Sequence, residues 1–169
     1  GVGCVSWVGN ATMTNVPVAS FITSCANTPG VRIVTGDFNG NGLSVFAVAG
    51  PTQGCASKLV GSVSCVDESA ITNGPVADFI TSWANTPGVR IVTGDFNGNG
   101  LTDIALVRQT PGWASIPIAF AHGDGNWTIT NGPVADFITS WANTTGVRIV
   151  TGHFNGNGQD AIAPIRQHP

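Results

Sequence analysis

A period of 58 residues constrains this chain more than any other feature. Asp37, Asp95 and His153 stand at that spacing inside three versions of one segment: GDFNGNGLSV (36–45), GDFNGNGLTD (94–103) and GHFNGNGQDA (152–161). The register holds without a gap. ITNGPVADFITSWANT at 71–86 returns letter for letter at 129–144, and an earlier version, MTNVPVASFITSCANT, lies at 13–28. A repeat of this length is one supersecondary module that buries its apolar face only by stacking on a neighbour. Two units run 31–88 and 89–146. A third is expected from 147–169 completed by 1–30, because residues 1–14 match 117–130. Terminal strands that complete one shared module would leave no frayed sheet edge.

Within a unit the pattern reads as four short strands. VRIVTG (89–94) is an apolar run that suits an inner strand buried on both faces, and DIALVR (103–108) follows the Gly-rich loop. SIPIAF (115–120) points Ile116, Ile118 and Phe120 to one side, and NWTIT (126–130) does the same with Trp127 and Ile129. HGDG (122–125) supplies the turn between them. The long connection NGPVADFITSWANTPG (73–88) has room for one helical turn. Four antiparallel strands per unit, arranged radially, describe a β-propeller blade, so the fold class expected is all-β. Three blades are too few to close a ring, which takes roughly four to eight. Two copies of the chain would supply six, and a homodimer is expected.

Composition removes several function classes. Six basic residues, of which only Lys58 is a lysine, and a net charge of −3 give no footprint for nucleic acid or an acidic membrane. No run of 18 apolar residues occurs. Three scattered histidines, serines without suitable His/Asp partners and no recurring carboxylate pair argue against an enzyme. Cys4, Cys25, Cys55 and Cys65 show neither C-x-x-C nor zinc spacing, so disulfides in an oxidising compartment are expected, with four buried thiols as the alternative. Sequons at Asn10, Asn126 and Asn143, and a chain that opens on Gly, fit a mature secreted protein.

The unit GVRIVTGDFNGNGLTDIALV…GWASIPIAFAHGDGNWTITN (88–131) resembles the FG-GAP repeats of integrin α-chain propellers. It is most similar to the integrin-like fungal lectins of the Psathyrella velutina lectin family. The resemblance implies binding of terminal N-acetylglucosamine-type sugars in pockets between blades, at several sites per molecule. The alternative it carries is an integrin-like, calcium-binding adhesion propeller that recognises a protein partner.

Two sets of residues are candidates for that chemistry. Oxygens at alternate positions of a Gly-bent loop suit Ca²⁺: Asp95, Asn97, Asn99 and Asp103, with the carbonyl of Leu101. Unit 1 has Val45 in place of Asp103, and unit 3 has His153 and Ala161 in the first and last places, so a structural Ca²⁺ is expected in unit 2 only. Asn and Gly tolerate left-handed backbone, so the turn can persist without metal.

A sugar pocket needs an aromatic face and a few planar polar groups. Asp78, Trp83 and Arg90 form one such set, and Asp136, Trp141 and Arg148 its copy. Trp113, His122, Asp124 and Asn126 add a third, with Trp127 beside them. One pocket would combine His122 and Trp113 with Asp136, Trp141 and Arg148 of the next unit. Cys25 stands at the position of Trp83 and Trp141, and Cys55 at that of Trp113. Unit 1 is therefore expected to have lost its pocket, with a Cys25–Cys55 link replacing the indole contact.

Overall fold

The computed structural model describes residues 2–8, 10–16, 27–49, 61–63, 68–71, 78–134 and 136–166. Twelve strands run in chain order among them. They are β1 (Val2–Val8), β2 (Asn10–Val16), β3 (Arg32–Gly36), β4 (Val45–Ala49), β5 (Gly61–Val63), β6 (Glu68–Ile71), β7 (Val89–Gly94), β8 (Asp103–Arg108), β9 (Ser115–Ala121), β10 (Trp127–Pro133), β11 (Val147–Gly152) and β12 (Ala161–Arg166). Among the described residues helix is confined to two wide turns of π type, Asp78–Trp83 and Phe137–Ala142, inside the long connections. The chain is all-β, with antiparallel pairing throughout.

Unit 2 forms one four-stranded sheet in the order β10-β9-β8-β7, a meander in which sequence neighbours are spatial neighbours. Its strands fall where the pattern put them. The exception is β10, which was expected to end at Thr130. Its pairing runs on through Asn131↔Pro117, Gly132↔Ile116 and Pro133↔Ser115. Asn-Gly-Pro reads as a turn, but this strand lies at the sheet edge, where a proline removes no ladder bond that matters. Elsewhere the described pairs are two-stranded: β1-β2, β3-β4, β5-β6 and β11-β12. Within one chain the terminal hairpin β1-β2 and the pair β11-β12 are separate sheets among the described residues. Cys25, Cys55 and Cys65, and with them the expected Cys25–Cys55 link, lie outside the described residues.

The strand buried on both faces is β8, not β7. Arg90 of β7 is exposed, whereas Asp103 to Val107 are all buried. The cause is position. Ile104 and Leu106 face a core shared with Phe38 of unit 1, while Ala105 and Val107 face one that joins Ile138 of their own unit to Val147 and Ile149 of unit 3. β8 is thus a wall between two cores. Fully burying Ile104, Leu106 or Val107 contributes about 1.5–3 kcal/mol each. On β9, Ile116 and Ile118 both turn to the unit 3 side, and Trp127 and Ile129 of β10 turn to the other, as their alternation predicts.

Successive units are joined by bonds that repeat with the sequence period. Thr93 Oγ1 donates to the carbonyl of Thr35 at 3.1 Å, and Thr151 Oγ1 donates to that of Thr93 at 2.8 Å. The three matching strands β3, β7 and β11 therefore lie in series.

Candidate functional site

Trp83 closes the first helical turn, half-buried, with its ring tilted 54° against Phe79 at 6.3 Å. Trp113 follows β8, and the Arg108 guanidinium lies 5.9 Å from its ring centre. The Arg108 side chain is steadied by a bond from its Nε to Thr110 Oγ1 at 3.0 Å, and Thr110 in turn donates to the carbonyl of Pro87. Gly112, at φ 125°, completes this turn; a Cβ there would strike Arg108.

The two tryptophans line one cleft of about 250 Å³ together with Gly112, Ala114, Ser115, Pro117 and Asn131. Two indoles with a hydroxyl and a carboxamide form an uncharged site of mixed character, suited to a ligand with one apolar face and a hydroxylated rim. Asn131 and Ser115 were not among the expected residues. Asn131 reads as a turn residue in ITNG, and only the extension of β10 places it on the cleft wall.

Other expected residues lie elsewhere. His122, Asp124 and Asn126 form the turn at one end of β9, and Trp113 precedes the other end, so a seven-residue strand of about 23 Å separates them. The expected pocket combining His122 with Trp113 is therefore not assembled. The turn is closed on itself: Asp124 accepts the backbone amide and the side-chain Nδ2 of Asn126, both at 2.9 Å. Those bonds hold the Asp124 carboxyl below the usual carboxylate range. His122 Nε2 and Thr128 Oγ1 share a hydrogen bond of 2.7 Å.

Trp127 packs against Phe38 at 6.0 Å and belongs to the contact between units. Arg90 lines a second cleft, between β3 and β7, with Arg32, Ile33, Val34, Val89 and Ile91. There Arg32 donates to the carbonyl of Val89 at 2.7 Å, and burial lowers its proton affinity. Asp136 and Arg148 are exposed, as is Trp141 at 54%. Asp78 opens the helical turn that ends on Trp83.

The Gly-rich loop of unit 2 is drawn together by its own amides. Asp95 Oδ1 accepts from Gly98 and Asn99, and Asp95 Oδ2 from Gly100. Asn97 Oδ1 accepts from Asn99, and Asn99 Oδ1 from Leu101. Asp103, the last expected cation ligand, is wholly buried. Its Oδ2 accepts from Phe96 and its Oδ1 from Ala121, both at 2.9 Å, which ties loop to β9. Burial pushes its carboxyl up to about 6; the amides of Ala121 and Phe96 oppose that rise and the charge of Asp95 adds to it. The donor set fits a hard cation only in part. Asp95, Asn97 and Asn99 are open to solvent or nearly so, whereas both oxygens of Asp103 are already engaged.

Comparison with protein-family models, with curated proteins and with solved structures gave no match of any kind.

Proposed function

We propose that this chain is a carbohydrate-binding protein of the β-propeller class. Its sugar would lie against Trp83 and Trp113, with Asn131 and Ser115 bonding the ring hydroxyls or an acetamido group. The observation that carries this reading is the convergence of two indoles on one uncharged cleft rimmed by amide and hydroxyl groups. The cleft volume of about 250 Å³ suits one pyranose and falls just below the range of drug-sized pockets. N-acetylglucosamine-type sugars are the favoured class, because an acetamido methyl adds apolar surface for an indole face. The proposed activity is binding alone.

Trp83 and Trp113 have Cys25 and Cys55 in their places one period earlier. A multivalent particle would therefore draw its sites from more than one copy of the chain, with avidity replacing single-site strength. The test is a glycan array competed by free N-acetylglucosamine, with tryptophan fluorescence as a direct titration. Trp113→Ala should abolish both signals. Wild-type protein that binds no glycan at high display density would end the proposal.

A further inference from the structure

The contact between units 1 and 2 is repeated between units 2 and 3, position for position. The amide of Thr102 donates to the carbonyl of Asp37, and that of Asp160 donates to the carbonyl of Asp95, each at 2.7 Å. In return Thr102 Oγ1 accepts the Asp37 amide and Asp160 Oδ2 accepts the Asp95 amide, each at 2.9 Å. One residue earlier, Leu101 lies over Gly40 and Gln159 over Gly98. Phe38 is buried in the core of unit 2, and Phe96 packs into the core of unit 3.

Among the described residues, both outer faces present halves of this seam without the other half. On unit 3, Phe154 stands at the position of Phe38 and Phe96 yet is 60% exposed, and the space beside Gly156 is open. Ile165 stands at the position of buried Val107 and is 53% exposed. The nearest atoms to Gly152 are those of the Phe154 ring, where Gly36 and Gly94 meet Thr102 and Asp160 of the following unit. On unit 1, Ile33 stands at the position of buried Ile149 and is 55% exposed. Leu43 and Ser44, at the positions of Leu101 and Thr102, are exposed too.

We propose that the unit 3 face of one copy receives the unit 1 face of a second copy, by the seam used inside the chain. Leu43 of one copy would cover Gly156 of the other. The Ser44 amide would donate to the His153 carbonyl, and the Ser44 hydroxyl would accept the His153 amide. Phe154 and Ile165 would close over Val31 and Ile33. The contact is head to tail, so two copies joined twice form a closed pair of six units. That closure rests on the propeller reading above, since six units fall within the roughly four to eight that complete such a ring.

Light scattering on the 169-residue chain, followed through a dilution series, tests this without any sugar present. The expected mass is twice the 17.2 kDa of one chain. Leu43→Asp and Phe154→Asp should each give the one-chain mass with an unchanged far-ultraviolet circular dichroism spectrum. Mixing the two variants should return the two-chain mass, because the first keeps an intact unit 3 face and the second an intact unit 1 face. A wild-type mass of 17.2 kDa at every concentration would overturn the proposal. So would variants that stay single when mixed, because a surface pairing with its own copy behaves that way. Glycan binding is read separately on the same samples. A single chain that binds sugar sinks the seam and spares the cleft, and a pair that binds none does the reverse.

Discussion

The loops at 37–43 and 95–101 make the same five hydrogen bonds, although only the second has a carboxylate eight positions after its first aspartate. Asp37 accepts from Gly40, Asn41 and Gly42, Asn39 from Asn41, and Asn41 from Leu43, matching unit 2 bond for bond. Val45 stands where unit 2 has Asp103. The loop shape is thus set by its Asp-x-Asn-x-Asn-Gly oxygens and by glycines at positive φ, such as Gly40 at 74° and Gly98 at 78°. The third loop shows the limit of that rule. With His153 in first place, the three amide contacts shrink to one, from Gly158 to Nε2 at 3.4 Å.

The sharpest way to break the comparison is at the residue that differs. Asp103→Ala strands the amides of Phe96 and Ala121 beside a new cavity and should cost about 3 kcal/mol, measured by urea unfolding. A loss under about 1 kcal/mol would mean that loop 2 needs its buried carboxylate no more than loop 1 does.

The second test is pH. With the Asp103 carboxyl raised to about 6, the folded chain between about pH 4 and pH 6 holds a proton that the unfolded chain has released. That contribution is fully present below about pH 4 and is lost as pH climbs through 6, a fall of about 3 kcal/mol. Asp103→Asn should flatten this part of the profile; an unchanged profile would place the titration elsewhere.

Smaller effects sharpen the likeness. Asp37→Ala and Asp95→Ala each remove three exposed amide acceptors and should cost about 1–2 kcal/mol, within about 0.5 kcal/mol of one another. Unequal losses would show that one loop has a support the other lacks. His153→Asp should restore the three acceptors in unit 3 and add about 1 kcal/mol. Smallest of all, millimolar Ca²⁺ against chelator should move the melting temperature by no more than about 2 °C, the low end of the roughly 2–4 °C that 1 kcal/mol brings in a domain of this size. A larger shift that Asp103→Val removes would restore the full cation set in unit 2.

The same comparison shows what the sequence made legible. Period, strand positions in unit 2 and the facing of Ile116, Ile118, Trp127 and Ile129 all follow from spacing, because they are local consequences of backbone alternation. What escaped was set by neighbours. β7 and β8 are both apolar runs, and only contact with two other units singles out β8 for burial on both faces. Asp103 reads as a ligand because carboxylates in such loops commonly are, yet its burial against Ala121 depends on how β9 lies. Likewise Trp113 and His122 are nine residues apart in the sequence, but the strand β9 between them sends each to an opposite end. Asn131 became visible only because β10 outran its turn signal.

Thr102 and Asp160 have one further consequence. Each clasps backward with its own amide and oxygen, while Asp37 and Asp95 offer the matching amide and carbonyl forward. Any segment of one period therefore arrives with a plug and a socket already cut to the same pattern. Lengthening such a chain by copying a stretch of its gene would require no newly invented contact, and shortening it by a whole period would leave the surviving ends compatible.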